Sequence, residues 1–171
     1  MKNEVDGRRE IASRNTAWAN IIARKLTHWG VTPNQISMMS VFFAMVGCLL
    51  LIGTVIYPGF NKYVAYILFI VCMQSRLLCN LFDGMVAIEG GKKSANGDLY
   101  NDMPDRFADA LFIIPVGYVA GGFGIELGWL AALLAVMTAY FRWIGAYKTH
   151  QHFFNGPMAK QHRMALLTLT F

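Results

Sequence analysis

Four long apolar segments constrain this chain more than any other feature of its sequence. They lie at about residues 36–57, 63–82, 104–124 and 127–147. Each is close to the roughly 20 helical residues that cross the hydrocarbon core of a bilayer. A backbone in lipid must satisfy its own hydrogen bonds, and a helix does so within one segment. The sequence therefore predicts an all-α integral membrane protein built as a bundle of transmembrane helices.

A fifth apolar segment begins near Met164 and ends with Phe171. Because roughly eight residues are too few to cross a bilayer, we expect the sequence to be truncated at its C-terminal end. The chain has 171 residues, of which 56% are hydrophobic, which favours a single membrane domain over residues 1–171. An N-terminal helix and its connection occupy residues 1–33, and the transmembrane bundle occupies residues 36–171.

The segment before the first span predicts an amphipathic helix lying in the membrane interface. Its apolar residues recur at spacings of seven, four, four and three and share one helical face; they are Ile11, Trp18, Ile22, Leu26 and Trp29. Tryptophan is typical of the headgroup level, which favours an interfacial position. The alternative is a helix that packs this face against protein.

Basic residues are distributed unevenly around the spans. Six precede residue 36, and five more follow the second and fourth spans at Lys92, Lys93, Lys148, Lys160 and Arg163, whereas the opposite side carries only Lys62. By the positive-inside rule, the N-terminus and the basic loops are cytoplasmic. The basic residues form no stripe typical of nucleic-acid binding, which favours attraction to anionic membrane lipid.

Polar residues recur at helical spacing in the second and third spans. Asn80 and Asp83 share a face of one helix, and Asn101, Asp105 and Asp109 lie four apart on a face of the next. A charge in hydrocarbon is unfavourable, so these residues must face a polar cavity, a partner charge or a metal ion. Their oxygen atoms suit magnesium, manganese or calcium better than zinc.

Glycines in the same region leave room for a ligand. Gly84 directly follows Asp83 and lets a ligand approach the backbone. The polar residues 89–96 are expected to form the loop between the two helices. Because proline is tolerated in the first turn of a helix, Pro104 predicts an N-cap at Asn101 or Asp102.

The spacing of these residues resembles the signature of the CDP-alcohol phosphotransferases. That signature reads Asp, two residues, Asp-Gly, two residues, Ala-Arg, eight or nine residues, Gly, three residues, Asp, three residues, Asp. The same intervals here hold Asn80, Asp83-Gly84, Ala87-Ile88, Gly97, Asn101 and Asp105. The Thr-Pro-Asn-Gln-Ile-Ser start of the first span, at residues 32–37, is also similar to the family, and the likeness covers essentially the whole chain.

The resemblance implies a transferase of phospholipid biosynthesis. Such an enzyme transfers a phosphatidyl or other substituted phosphate group from a CDP-alcohol to an acceptor alcohol and releases CMP. CDP-diacylglycerol is the donor we expect. The resemblance also implies six spans in a complete chain, a homodimer, and an active site on the cytoplasmic side.

The resemblance assigns roles to particular residues. A divalent cation, Mg²⁺ or Mn²⁺, would be bound by four oxygen-bearing side chains: Asn80, Asp83, Asn101 and Asp105. Asp105 would also be the base that accepts the proton of the acceptor alcohol. Space for the cytidine nucleotide would come from Gly84, Ala87 and Gly97.

Three positions depart from the family signature, because Asn80, Asn101 and Ile88 stand where the family has Asp, Asp and Arg. An asparagine offers a carbonyl oxygen to a hard cation but brings no charge. We therefore expect weaker metal binding, or one ion in place of two. Asp102, Asp109 or Glu89 could compensate, and Asp109 is the best placed of these.

Basic residues near the fourth span are candidates for binding an anionic acceptor. They are Arg142, Lys148 and Arg163. For Lys148 and Arg163 we favour the alternative, in which their charges anchor the spans at the membrane border. Arg142 lies inside the span and needs a partner.

Two other functions remain open at this point. The three substitutions also suit a catalytically silent relative that keeps the fold and binds nucleotide or lipid. An ion or proton transporter would use Asp83, Asp105 and Asp109 as a relay, but such a relay predicts acids spread through the membrane depth, and here they cluster at one end.

Overall fold

The structure of the protein is a computed structural model that describes residues 16–89, 97–149 and 160–171, and every regular element within these ranges is a helix. The helices follow one another as α1 (Ala17–His28), α2 (Pro33–Ile56), α3 (Lys62–Glu89), α4 (Gly97–Ala120), α5 (Gly124–Thr149) and α6 (Lys160–Thr170). The predicted all-α class is confirmed for the described part of the chain.

Within the described ranges, three helical segments are long and apolar enough to cross a bilayer, and they are Pro33–Ile56, Lys62–Ile88 and Gly124–Phe141. They correspond to the predicted spans at 36–57, 63–82 and 127–147. The remaining predicted span, at 104–124, falls on α4, where charged residues interrupt the apolar sequence. The total number of spans and the interfacial position of the N-terminal helix stay predictions.

The start of α2 is set by a local capping box. The backbone N–H of Gln35 donates to Thr32 Oγ1 at 3.3 Å, and the N–H of Thr32 donates to Gln35 Oε1 at 2.9 Å. Pro33 occupies the first helical turn, where its missing N–H removes no helical hydrogen bond. This start places Ser37 and Ser40 on the buried face of α2.

The N-terminal helix α1 packs through small residues. Ala19 and Ala23 are fully buried and contact a cluster on α3 that includes Phe82 and Val86. Trp18, Ile22 and Trp29 remain exposed, Leu26 is partly buried, and Ile11 lies outside the described residues. The alanines bring α1 close to the bundle and Trp18 contacts Phe82 of α3 with ring centroids 6.2 Å apart, whereas Ile22 and Trp29 of the predicted apolar face remain exposed.

The helices α2, α3 and α4 share a core beyond their polar residues. Phe69 of α3 and Phe112 of α4 are fully buried, with ring centroids 5.4 Å apart in an edge-on arrangement. Gly47 of α2 faces them, and a Cβ at that position would lie 2.8 Å from the Phe112 ring. Met164 of α6 completes the cluster, so the segment predicted as the start of a fifth span packs against the bundle.

The antiparallel helices α4 and α5 pack backbone to backbone. A Cβ on Gly117 would lie 2.5 Å from the carbonyl oxygen of Gly124 and 3.0 Å from the Cα of Gly128. The turn between the helices contains Gly121 and Gly122, whose φ angles of +69° and +50° are favoured by glycine. Small residues at this contact permit the close approach that membrane helices use for association.

Candidate active site

A fully buried arginine on α3 joins the acidic residues of α4. Arg76 has no exposed surface, and its Nη2 donates to Asp109 Oδ1 at 2.6 Å. The same nitrogen lies 3.3 Å from Asp105 Oδ1 and 3.2 Å from the backbone carbonyl oxygen of Asp105. Because a buried charge is strongly unfavourable without a partner, these contacts explain how an arginine is accommodated halfway along an apolar helix.

The remaining nitrogen atoms of this arginine are less well satisfied. Arg76 Nε and Nη1 are buried and have no hydrogen-bond partner among the residues that the structure describes. A single nitrogen therefore makes every described hydrogen bond of the guanidinium group. Additional acceptors near this group would be favourable, since an unmet buried donor destabilises a fold.

Two serines of α2 meet the polar residues of α3. Ser37 Oγ donates to Asp83 Oδ2 at 3.3 Å, and Ser40 Oγ lies 3.5 Å from Asn80 Oδ1. Both serines and Asp83 are buried, with exposed fractions of 4%, 1% and 4% respectively. The first of these hydrogen bonds is the stronger, because a separation of 3.5 Å is at the outer limit for oxygen atoms.

The polar side chains lie at two levels along the helices. Asn80 follows Arg76 by one helical turn, and Asp105 precedes Asp109 by one turn on the antiparallel neighbour. The Arg76–Asp109 pair therefore forms the inner level, closer to the apolar core. The outer level, nearer to the end of α3 and the start of α4, holds the residues predicted from the sequence.

The structure describes most, but not all, of the predicted site residues. Gly84 is buried, and Asn80, Ala87 and Asp105 are partly buried. Gly97 begins α4 and Asn101 lies one turn later in the helix, but the Asn101 side chain lies outside the described residues. Five other side chains named in the sequence analysis also lie outside the described residues, and they are Asp102, Glu89, Arg142, Lys148 and Arg163. Residues 90–96 of the predicted loop lie outside them as well.

One detail of the sequence prediction is corrected by the helix boundaries. The predicted N-cap at Asn101 or Asp102 is wrong, because α4 begins at Gly97 and Pro104 lies inside the helix. Helices among other helices tolerate such a proline when neighbouring groups satisfy the freed carbonyl group. The helix α3 extends to Glu89, so Asn80 and Asp83 lie within one helix, as their predicted common face requires.

Sequence reasoning missed Arg76, Ser37 and Ser40. A signal for Arg76 was present, because an arginine within an apolar span needs a partner, and Asn80 and Asp83 follow it at positions four and seven on the same face. The serines gave no comparable signal. Serine is common in membrane helices, and which face of α2 meets α3 is decided by packing.

The described polar side chains of the outer level offer oxygen atoms as donors to a cation. The described side chains contain no group of three or more acidic, histidine or cysteine residues that could hold a metal ion. The described donors at the outer level are the amide oxygen of Asn80 and the carboxylates of Asp83 and Asp105, and Arg76 already places a positive charge beside Asp105. Oxygen donors of this kind suit Mg²⁺ or Mn²⁺.

Comparison with known proteins gives one match. The family model for CDP-alcohol phosphatidyltransferases matches residues 30–170, which is most of the chain. No curated protein matches the chain. The matched region contains α2, α3 and α4 in full, and with them all the polar residues of both levels.

Proposed function

Because the chain belongs to the CDP-alcohol phosphatidyltransferase family, we propose that it transfers a substituted phosphate group from a CDP-alcohol to an acceptor alcohol and releases CMP. The resemblance inferred from the signature residues is thus confirmed at the level of the family. CDP-diacylglycerol is the proposed donor, and phospholipid biosynthesis is the proposed setting.

One observation carries this proposal beyond membership of the family. Residues from three helices meet in a polar cluster: Ser37 of α2 contacts Asp83 of α3, and Arg76 of α3 contacts Asp105 of α4. Two of the proposed ligand positions, Asp83 and Asp105, are thereby each held by a side chain from a neighbouring helix. A polar cluster of this size in an apolar bundle is unfavourable unless it binds something or performs chemistry.

The proposed reaction is an in-line displacement at phosphorus. The acceptor hydroxyl oxygen forms a bond to the phosphorus atom, the bond from that phosphorus to CMP breaks, and CMP leaves with the electron pair. Asp105 accepts the hydroxyl proton, which is the role of a general base. Asp105 is partly exposed in the structure, with 18% of its side-chain surface accessible, so an acceptor can reach it.

Members of this family generally use divalent cations. Asn80, Asp83, Asn101 and Asp105 are the proposed ligands, and we propose a single Mg²⁺ or Mn²⁺ ion. Such an ion supplies positive charge that polarises phosphoryl oxygens and stabilises the leaving CMP. Gly84, Ala87 and Gly97 are the proposed neighbours of the nucleotide, because their small side chains leave space beside the carboxylates.

The proposed setting is a multi-pass membrane protein with its N-terminus and its active site on the cytoplasmic side. The distribution of lysine and arginine supports this orientation. A site at that interface lets a lipid-tailed donor meet a water-soluble acceptor. An anionic acceptor bound by Arg142, Lys148 or Arg163, and a homodimer, are further parts of the proposal.

One observation favours a second candidate, a catalytically silent relative that binds nucleotide or lipid. Arg76 lies 3.3 Å from the carboxylate proposed as base, so a guanidinium group already contacts the side chain that would accept the proton. The substitutions at Asn80, Asn101 and Ile88 act in the same direction. A measurement of activity distinguishes the transferase from the silent relative.

The deciding experiment measures CMP release from CDP-diacylglycerol by the full-length protein in detergent. The assay contains Mg²⁺ or Mn²⁺ and a panel of acceptor alcohols, with Asp105→Asn as the control variant. Acceptor-dependent CMP release that is lost in Asp105→Asn is the expected result. If CMP appears only after Asn80→Asp, Asn101→Asp and Ile88→Arg are introduced together, the natural protein is the silent relative.

A further inference from the structure

Arg76 contacts two acids of α4, Asp105 and Asp109, at unequal distances. We propose that Asp109 is the dedicated counter-ion of Arg76, and that it thereby leaves the Asp105 carboxylate able to bind a divalent cation. The Arg76–Asp109 pair is then a positioning pair that acts through Asp105. This inference rests on the proposed function, which assigns Asp105 to cation binding.

The distances identify the principal partner of the arginine. Arg76 Nη2 is 2.6 Å from Asp109 Oδ1 but 3.3 Å from Asp105 Oδ1. Charge-assisted N–H···O bonds are strongest at about 2.7–2.9 Å, and they weaken as the atoms separate. The guanidinium charge is therefore compensated mainly by Asp109, while Asp105 holds a longer and weaker contact.

Burial separates the two acids in the same way. The side chain of Asp109 is 2% exposed, whereas that of Asp105 is 18% exposed. A cation that arrives from water with some of its hydration shell can reach Asp105 more readily than Asp109. The sequence analysis suggested Asp109 as a metal ligand that compensates for the asparagines. Its role here is instead to form the ion pair with Arg76.

The arginine has unused capacity for a further acceptor. Its Nε and Nη1 find no hydrogen-bond partner within the described part of the chain. If Asp109 loses its charge, Asp105 is the remaining carboxylate in contact with the guanidinium group. Asp105 would then compensate the charge of the guanidinium group. The guanidinium group would compete directly with a divalent cation for that carboxylate.

This arrangement predicts opposite effects for single and double substitutions. Asp109→Asn leaves the positive charge of Arg76 to Asp105 and weakens cation binding. Arg76→Gln with Asp109→Asn removes both charges, leaves the net charge beside Asp105 as in the wild type and restores cation binding. Arg76→Gln alone removes the competing positive charge and strengthens cation binding. A pair that serves only folding would instead weaken cation binding in Arg76→Gln, because that variant leaves buried Asp109 without the arginine.

The experiment measures Mn²⁺ binding by electron paramagnetic resonance titration of the full-length protein purified in detergent. The wild-type chain is compared with Asp109→Asn, Arg76→Gln and the double variant, and size-exclusion chromatography checks that each is folded. We expect Asp109→Asn to raise the Kd for Mn²⁺ about tenfold, which corresponds to about 1.4 kcal/mol. We expect the double variant to return to within about threefold of the wild type, and Arg76→Gln to bind about tenfold more tightly.

Asp83→Asn is the control, because it removes a proposed ligand and leaves the Arg76–Asp109 pair intact. Its Mn²⁺ binding should be lost. Unchanged Mn²⁺ binding in Asp109→Asn, or weak binding that persists in the double variant, would overturn the inference. So would an absence of Mn²⁺ binding in the wild type, or binding that survives Asp83→Asn. If Asp109→Asn does not fold, unchanged or weaker binding in Arg76→Gln overturns the inference by itself.

Failure of the proposed function is recognised separately. CMP release by the wild-type protein tests the reaction, and the pattern of Mn²⁺ affinities tests the role of Asp109. A protein that releases no CMP but shows the reversal in the double variant would have the proposed cation site without the proposed activity. CMP release without the reversal would leave the reaction in place and remove the role of the pair.

Discussion

Arg76 and Asp109 form a buried ion pair between α3 and α4, with Nη2 of the arginine 2.6 Å from Oδ1 of the aspartate. Their side chains are 0% and 2% exposed. A shift of α3 along α4 by one turn would break this contact. The pair therefore disfavours other registers of these helices, and the relative positions of Asp83 and Asp105 depend on that register.

Replacing the arginine by an apolar residue should strongly destabilise the fold. Arg76→Met leaves the carboxylates of Asp105 and Asp109 without their buried cation, and breaking such a pair costs about 3–5 kcal/mol. Thermal unfolding in detergent should show a clearly lower midpoint. Lys62→Met is the control at an exposed position on the same helix, where a change within about 0.5 kcal/mol is expected. Equal midpoints for the two variants would contradict this role of Arg76.

Ser37→Ala should affect the site more than Ser40→Ala. The first variant removes a buried hydroxyl group that lies 3.3 Å from the Asp83 carboxylate and 3.2 Å from the Pro33 carbonyl oxygen, and such a hydrogen bond contributes about 1 kcal/mol. The second removes only a 3.5 Å contact to an amide oxygen. We expect Ser37→Ala to lower both the free energy of unfolding and the rate of CMP release more than Ser40→Ala does. A larger effect of Ser40→Ala would show that the Asn80 contact is the more important one.

The close contact of α4 and α5 predicts that one extra methyl group is not tolerated. In Gly117→Ala the new Cβ would meet the backbone of Gly124 at 2.5 Å, and backbone atoms cannot move aside as a side chain does. Overpacking of this kind costs about 1–3 kcal/mol. Gly145→Ala is the matched control within α5, because a Cβ built there meets no described atom within 4 Å apart from the neighbouring backbone of its own helix. It should leave the unfolding midpoint unchanged or raise it, as alanine favours a helix over glycine.

The capping box at the start of α2 should contribute measurably to stability. Thr32→Ala removes the side-chain acceptor for the Gln35 N–H, and the loss of an N-cap costs about 1 kcal/mol. Thr32→Ser keeps the hydroxyl group and should unfold within about 0.5 kcal/mol of the wild type. Both free energies can be measured by denaturant titration in detergent. If the two variants lose the same stability, the methyl group of Thr32 is responsible and not its hydrogen bond.

The sequence predicted which polar residues share a helical face, but not what each face meets. Asn80 and Asp83 lie on one face of α3 because of the 3.6-residue period, which is a local property that spacing reveals. Their contacts with Ser40 and Ser37 depend on how α2 packs against α3. No periodic pattern within α2 identifies these serines as neighbours of polar residues that lie 46 and 40 positions further along the chain.

Asp109 shows the same difference between what spacing predicts and what packing decides. Its spacing of four from Asp105 correctly placed both acids on one face of α4 and suggested a spare metal ligand. The structure instead directs its carboxylate to Arg76, and the buried position leaves little access for an ion from water. The helical period fixes the direction of a side chain, whereas its partner and its burial depend on the neighbouring helix.

The sequence by itself determined the all-helical class, the apolar segments and the family signature, because length, hydropathy and helical spacing are properties of single segments. Only the tertiary structure decided that α1 approaches α3 through its alanines, that Arg76 pairs with Asp109, and that two serines of α2 contact the site. These contacts join residues that are distant in the chain. Such pairings are chosen by the packing and charge compensation of the whole bundle, which no single segment contains.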